Sequence, residues 1–139
     1  VNCIEPGKKP LSSMSPTVVL HEDGSPYLVM GTPGGARIFS SIAQTLSRVI
    51  DHGLSIQDAI CVPKVWNASS ENHLEYESCL NGYEQYEITE QTLEILEQMG
   101  HGSATLTSSG SVQAIEFLED GKLYGTADPR QDGKALGVD

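Results

Sequence analysis

Hydrophobic and polar positions along the 139 residues sort into strand-like runs near both ends and helix-like periodicities between them. Thr17 to Leu20 is a β-branched apolar run, Glu22-Asp23-Gly24-Ser25-Pro26 are turn formers, and Tyr27-Leu28-Val29-Met30 resumes the run, so a β-hairpin is predicted. The same grammar returns where Val112 to Leu118 meets Glu119-Asp120-Gly121 and continues as Leu123-Tyr124-Gly125. Between the hairpins, Ile38, Ile42, Leu46, Val49 and Ile50 recur at spacings of three and four, which predicts a helix stopped by Gly53. Ser55 is placed to cap a shorter helix through Val62, with Asp58 as an imperfect capping box and Pro63 ending it. Thr89 caps a third, in which Leu93, Leu96 and Met99 share one face, Glu90, Glu94 and Glu97 another, and Gly100 terminates. A short strand is expected over Leu74 to Ser78. Two strands, two or three helices and two more strands fit a single α+β domain with its helices gathered on one face of a sheet.

Charge narrows the function classes. The net charge of -11 repels phosphate backbones, which excludes nucleic acid as a partner. Its distribution is uneven: residues 65–121 carry eleven acidic side chains and no Lys or Arg, while residues 1–64 hold five of each sign and residues 122–139 three of each. An acidic stretch of this kind reads as a solvated face, which directs the search for chemistry to the neutral flanks. Cysteines 3, 61 and 79 are odd in number and widely spaced, so no complete disulfide framework forms within the chain, and Cys61 reads as a buried thiol. No run approaches the roughly 18 apolar residues of a membrane span. The opening Val1-Asn2-Cys3 reads as a cut within a longer polypeptide. Asn67-Ala68-Ser69 matches the glycosylation tripeptide, a pattern frequent by chance.

Two segments are poorly explained by local structure alone. Pro10-Leu11-Ser12-Ser13-Met14-Ser15-Pro16 holds three hydroxyls between two prolines; such serines serve turns, and can also aim two donors at a carboxylate. Gly31-Thr32-Pro33-Gly34-Gly35-Ala36-Arg37 joins a strand to a helix, and its adjacent glycines bring free N–H groups at the positive end of the helix dipole close to an anion. A tight connection needing positive φ would use the same residues. The phosphate-loop pattern fails for want of Lys-Ser/Thr after the glycines, and histidines 21, 52, 73 and 101 lack metal-ligand spacing, so neither cofactor nor metal is expected. No G-x-S-x-G elbow occurs. Asp128-Pro129-Arg130 reads as a structural ion pair holding the C-terminal loop.

The run Pro6-Gly7-Lys8-Lys9-Pro10-Leu11-Ser12-Ser13-Met14-Ser15-Pro16-Thr17, followed by Gly31-Thr32-Pro33-Gly34-Gly35-Ala36-Arg37-Ile38, resembles the C-terminal part of the gamma-glutamyltransferase (gamma-glutamyl transpeptidase) small subunit. Val49-Ile50-Asp51-His52-Gly53-Leu54, the helix from Leu93 to Gly100, and Leu123-Tyr124-Gly125 with Ala127-Asp128-Pro129-Arg130 continue the resemblance in order, from about Ile4 to the end. It implies part of the αββα sandwich of N-terminal nucleophile hydrolases, with the 139 residues forming one incomplete domain of a self-cleaved precursor. It also implies transfer of a gamma-glutamyl group from glutathione-like amides to water or amino acids, by a threonine at the N-terminus of the small subunit. By the same resemblance Ser12 and Ser13 bind the donor α-carboxylate, and the catalytic role of Gly34 and Gly35 is to form the oxyanion hole. The implied partners are the large subunit and the N-terminal part of the small subunit, and the implied location is periplasmic, secreted or cell-surface. Val1 has no hydroxyl and does not replace the threonine, so the 139 residues alone are expected to be inactive. After Cys61-Val62-Pro63-Lys64, which stands at the family's N-A-P-R-like position, the stretch from Trp66 to Leu74 departs from the family's usual sequence, which bears on acceptor choice. The competing readings are a related acylase or polyglutamate-processing enzyme, and a non-catalytic anion-binding module. Unpartnered strand edges are expected to make the isolated chain self-associate.

Overall fold

A computed structural model describes residues 3–68, 72–106 and 110–137; Val1, Asn2 and Ser69 of the Asn67-Ala68-Ser69 tripeptide lie outside the described residues. In chain order the elements are β1 (Thr17–Leu20), β2 (Pro26–Gly31), α1 (Ile38–Ile50), α2 (Ile56–Cys61), β3 (Val65–Ala68), β4 (His73–Glu77), α3 (Glu90–Gln98), β5 (Gly102–Leu106), β6 (Gln113–Phe117) and β7 (Leu123–Ala127). Short 3-10 turns at Gly35–Arg37 and Glu84–Tyr86 complete them.

Both predicted hairpins form, and they close identically. The His21 N–H donates to the Ser25 carbonyl and the Gly24 N–H to His21, while Leu118 donates to Lys122 and Gly121 to Leu118, all at 2.8–2.9 Å. Each Glu-Asp-Gly is therefore a three-residue loop whose glycine, with φ of +85° or +80°, supplies the left-handed residue of the bulge. The two hairpins then join through β2 and β6, Leu28 opposite Glu116 and Met30 opposite Ala114, into an antiparallel sheet of order β1-β2-β6-β7.

The helices start where their caps predict. The Ser55 hydroxyl accepts the Asp58 N–H at 3.1 Å and donates to the Asp58 carboxylate, and the Thr89 hydroxyl accepts the Thr92 N–H at 3.2 Å. Ile38, Ile42 and Val49 of α1 and Ile56, Ala59 and Ile60 of α2 cover one face of the four-stranded sheet, meeting Leu28, Met30, Val112 and Ala114 in a single core. The opposite face keeps its apolar side chains in the open: Val18 is 61%, Ile115 43% and Leu123 62% exposed, and Val18, Val29 and Ile115 stand in one cross-strand row.

The expectation of helices gathered on one sheet needs correction. A second sheet of order β3-β4-β5 exists, β4 and β5 run parallel, and α3 is the crossover between them. α3 therefore packs with the second sheet and buries little: Leu93 and Leu96 are half-buried, while Met99 is 71% exposed. A knot of buried charge ties the two sheets together. The Lys64 ammonium lies 3.0 Å from Glu77 at the end of β4 and 3.3 Å from Asp128 just past β7, and Arg130 reaches both carboxylates at 3.2–3.3 Å.

Candidate functional site

The strand-to-helix connection after β2 has the geometry of an anion cradle. Gly34 sits at φ +141° and Gly35 at φ +57°, both left-handed conformations that side chains rarely adopt. The Arg37 N–H donates to the Gly34 carbonyl at 3.1 Å, which starts the 3-10 turn and leaves the preceding amides outside the helical ladder. Among the described residues, neither the Gly34 nor the Gly35 amide donates to an acceptor. A Cβ on Gly35 would meet nothing within 4 Å, so the space in front of it is open to a ligand. The run of 3-10 turn into α1 points its positive end at that space.

The serine loop lies beside this connection and is stiffened by its own hydroxyls. Ser12 Oγ accepts the Met14 N–H at 3.1 Å, Ser15 Oγ donates to the Ser13 carbonyl at 3.2 Å, and Thr17 Oγ1 donates to the Ser15 carbonyl at 3.1 Å. With its oxygen engaged as an acceptor, the Ser12 hydroxyl keeps its proton for an outside partner. Ser12, Met14, Ser15 and Pro16 face Gly31 and Thr32 across a cleft of ≈ 490 Å³. The structure thus brings Ser12 next to the end of β2. Ser13 is exposed, and neither it nor Gly34 and Gly35 line this cleft.

The acidic segment is not simply a solvated face. Glu77 is 2% exposed within the charge knot, and Glu75 accepts from Arg37 Nε at 2.8 Å. Arg37 also stacks 4.5 Å over the Trp66 ring, so the residue that follows the cradle is fixed from two sides of β3 and β4. The buried role of Lys64 was hidden in sequence, because its carboxylate partners Glu77 and Asp128 lie 13 and 64 residues further on. The Asp128–Arg130 ion pair is present as expected, and Cys61 is a buried thiol. Cys79 lines a second cleft of ≈ 700 Å³ with Glu87, Thr89 and Glu90. Burial pushes its thiol pKa up and its sulfur bonds the Tyr83 carbonyl at 3.0 Å, so it is a poor nucleophile. Among the described residues no group of three or more His, Cys, Asp or Glu is placed to hold a metal ion.

The sequence profile of the family described as Gamma-glutamyltranspeptidase matches residues 1–138. The chain is 39% identical to the glutathione hydrolase proenzyme of Escherichia coli strain K12 over 93% of its own length, and 35% identical to that of Bacillus subtilis strain 168 over 99%. It spans only about a fifth of those proteins, 21% and 22% of their lengths. Its fold superposes on gamma-glutamyltranspeptidase from Pseudomonas nitroreducens, complexed with L-DON, with a TM-score of 0.82 and 35% identity, covering 99% of this chain and 68% of that one. The expected α+β fold of the N-terminal nucleophile hydrolases is therefore present, built from the two sheets and three helices described above. Matched along nearly its whole length in sequence and in fold, this chain belongs to the gamma-glutamyltranspeptidase family.

Proposed function

We propose that the chain supplies the oxyanion hole and part of the donor-binding wall of an enzyme that transfers a gamma-glutamyl group from glutathione-like amides to water or to an amino acid. The observation that carries this reading is the adjacent pair Gly34 and Gly35 at the start of a helix, whose amides donate to no acceptor among the described residues and of which Gly35 faces open space. When a threonine oxygen attacks the gamma-carbonyl, the carbonyl oxygen gains negative charge, and two fixed N–H donors stabilise that charge without reorganising. Ser12 and Ser13 hold the α-carboxylate of the donor, which sets the distance from carboxylate to carbonyl and so selects the gamma position over shorter or longer acyl chains.

The remainder of the enzyme is the partner. The apolar row of Val18, Val29 and Ile115 is a sheet face that the C-terminal segment covers only in part, with Ala135 against Gly125, and a second sheet from the rest of the precursor fits it in chemistry. The nucleophilic threonine comes from that remainder. A polypeptide of these 139 residues alone is accordingly expected to release no chromophore from a gamma-glutamyl anilide, and measurable turnover would sink the assignment.

The donor site is tested in the whole enzyme. Each hydroxyl bonded to a carboxylate contributes about 1.5–3 kcal/mol, so Ser12→Ala with Ser13→Ala is expected to lower kcat/KM for the donor at least tenfold, mainly through KM. An unchanged kcat/KM removes the carboxylate role.

A further inference from the structure

We propose that Thr32 and Gly110 are positioning residues that together fix the direction of the Gly34 N–H, a proposal that rests on reading Gly34 as an oxyanion donor. The peptide unit between Pro33 and Gly34 is planar, so the Pro33 carbonyl and the Gly34 N–H point in opposite directions within one rigid plane. Whatever holds the carbonyl therefore aims the donor.

Two groups hold it. Thr32 Oγ1 donates to the Pro33 carbonyl at 2.8 Å. Beside that hydroxyl Gly110 abuts the same carbonyl so closely that an added Cβ would overlap the oxygen and lie 2.8 Å from Thr32 Oγ1. Gly110 itself does not drift. Ser111 and Val112, which follow it, are 3% and 0% exposed, and the Val112 carbonyl accepts the Asp128 N–H at 3.0 Å. Asp128 is fully buried and bound by Lys64 and Arg130. A continuous set of contacts thus runs from the charge knot through residues 110–112 to the back of the cradle. Gly110→Ala has to push the Pro33 carbonyl aside and tilts the Gly34 N–H with it; Thr32→Val frees the carbonyl to turn. Either change degrades the angle of a hydrogen bond that weakens steeply with misalignment.

The test uses the whole matured enzyme and compares glutamate with a boronic-acid analogue of its gamma-carboxyl, whose tetrahedral adduct places an oxygen in the cradle. Thr32→Val is expected to lower kcat about tenfold, a fraction of the roughly hundredfold or more lost with a whole oxyanion donor. It is also expected to weaken the boronate by a similar factor and to weaken glutamate, whose cleft Thr32 also lines, by clearly less. Thr32→Ser keeps the hydroxyl and restores kcat, and Gly110→Ala loses at least as much kcat as Thr32→Val. The proposal is overturned if Thr32→Val keeps full kcat, if Thr32→Ser fails to restore it, or if both ligands weaken equally. If the unaltered enzyme shows no preference for the boronate, the oxyanion reading itself fails, an outcome distinct from a preference that Thr32→Val leaves untouched.

Discussion

Lys64 places its ammonium where water does not reach: the residue is 1% exposed and its charge is met by Glu77, Asp128 and the Ile60 carbonyl. Arg130 completes the set, with its guanidinium on both carboxylates and on the carbonyls of Ile60 and Cys61. Such a cluster contributes little while complete, because desolvation offsets most of the attraction, but breaking it strands a buried charge. Lys64→Met is therefore expected to destabilise the fold by about 3–5 kcal/mol, read from urea unfolding; a loss below about 1 kcal/mol would show that Arg130 suffices. Arg48 plays a parallel part nearby, donating to the carbonyls of Ala59, Val62 and Pro63 at the end of α2. Burial pushes its pKa down to about 10, so it stays charged at neutral pH. The sequence revealed the Asp128–Arg130 half of the knot, because those residues are neighbours. Lys64 and Glu77 were illegible, since nothing local distinguishes a buried lysine from a solvated one until distant partners arrive.

At the scale of elements, the two loops of the hairpins make the clearest pH prediction. Asp23 accepts from the Ser25 hydroxyl and N–H, and Asp120 from the Lys122 ammonium and N–H, and these bonds hold both carboxyls below the usual aspartate range. A folded pKa lowered in this way contributes stability that is fully present above the unfolded value near about 3.9 and is lost as pH falls through the folded one. The amide resonances of Ser25 and Lys122 should accordingly titrate with midpoints below about 3.9; midpoints at or above it would contradict the bonds. Hairpins, caps and α1 were legible because each is specified by residues within one or two turns of the chain. β3 and β5 were not. β3 is four residues with Asn67 within it, and β5 reads Gly-Ser-Ala-Thr-Leu, nearly without apolar alternation. Their pairing with β4 decides them, and pairing is not a local property. The positive-φ connection at Gly34 and Gly35 was legible because adjacent glycines between a strand and a helix mark such a turn, whereas the wall behind it at residues 110–112 is visible only in three dimensions.

For the whole molecule, the row of Val18, Val29 and Ile115 with Leu123 beside it is an exposed apolar surface on a sheet whose second side the C-terminal segment covers only in part. The isolated 139-residue chain is expected to form dimers or larger species as its concentration rises, by light scattering, and Val18→Lys with Ile115→Lys, two charges in the same row, should return it towards a monomer. A monomeric mass at the highest attainable concentration would contradict this. The same sheet also sets an order of assembly. Because β2 pairs with β6, Leu28 waits for Glu116, and closing a loop of that length costs about 4 kcal/mol of chain entropy before any contact offsets it. During synthesis the first hairpin, the glycine turn and α1 all emerge from the ribosome long before β6 and Asp128 do. The glycine turn is thus written early in the chain and braced last, so a polypeptide interrupted between Phe117 and Asp128 would carry every glycine and serine of the candidate site on a frame that has not yet been locked.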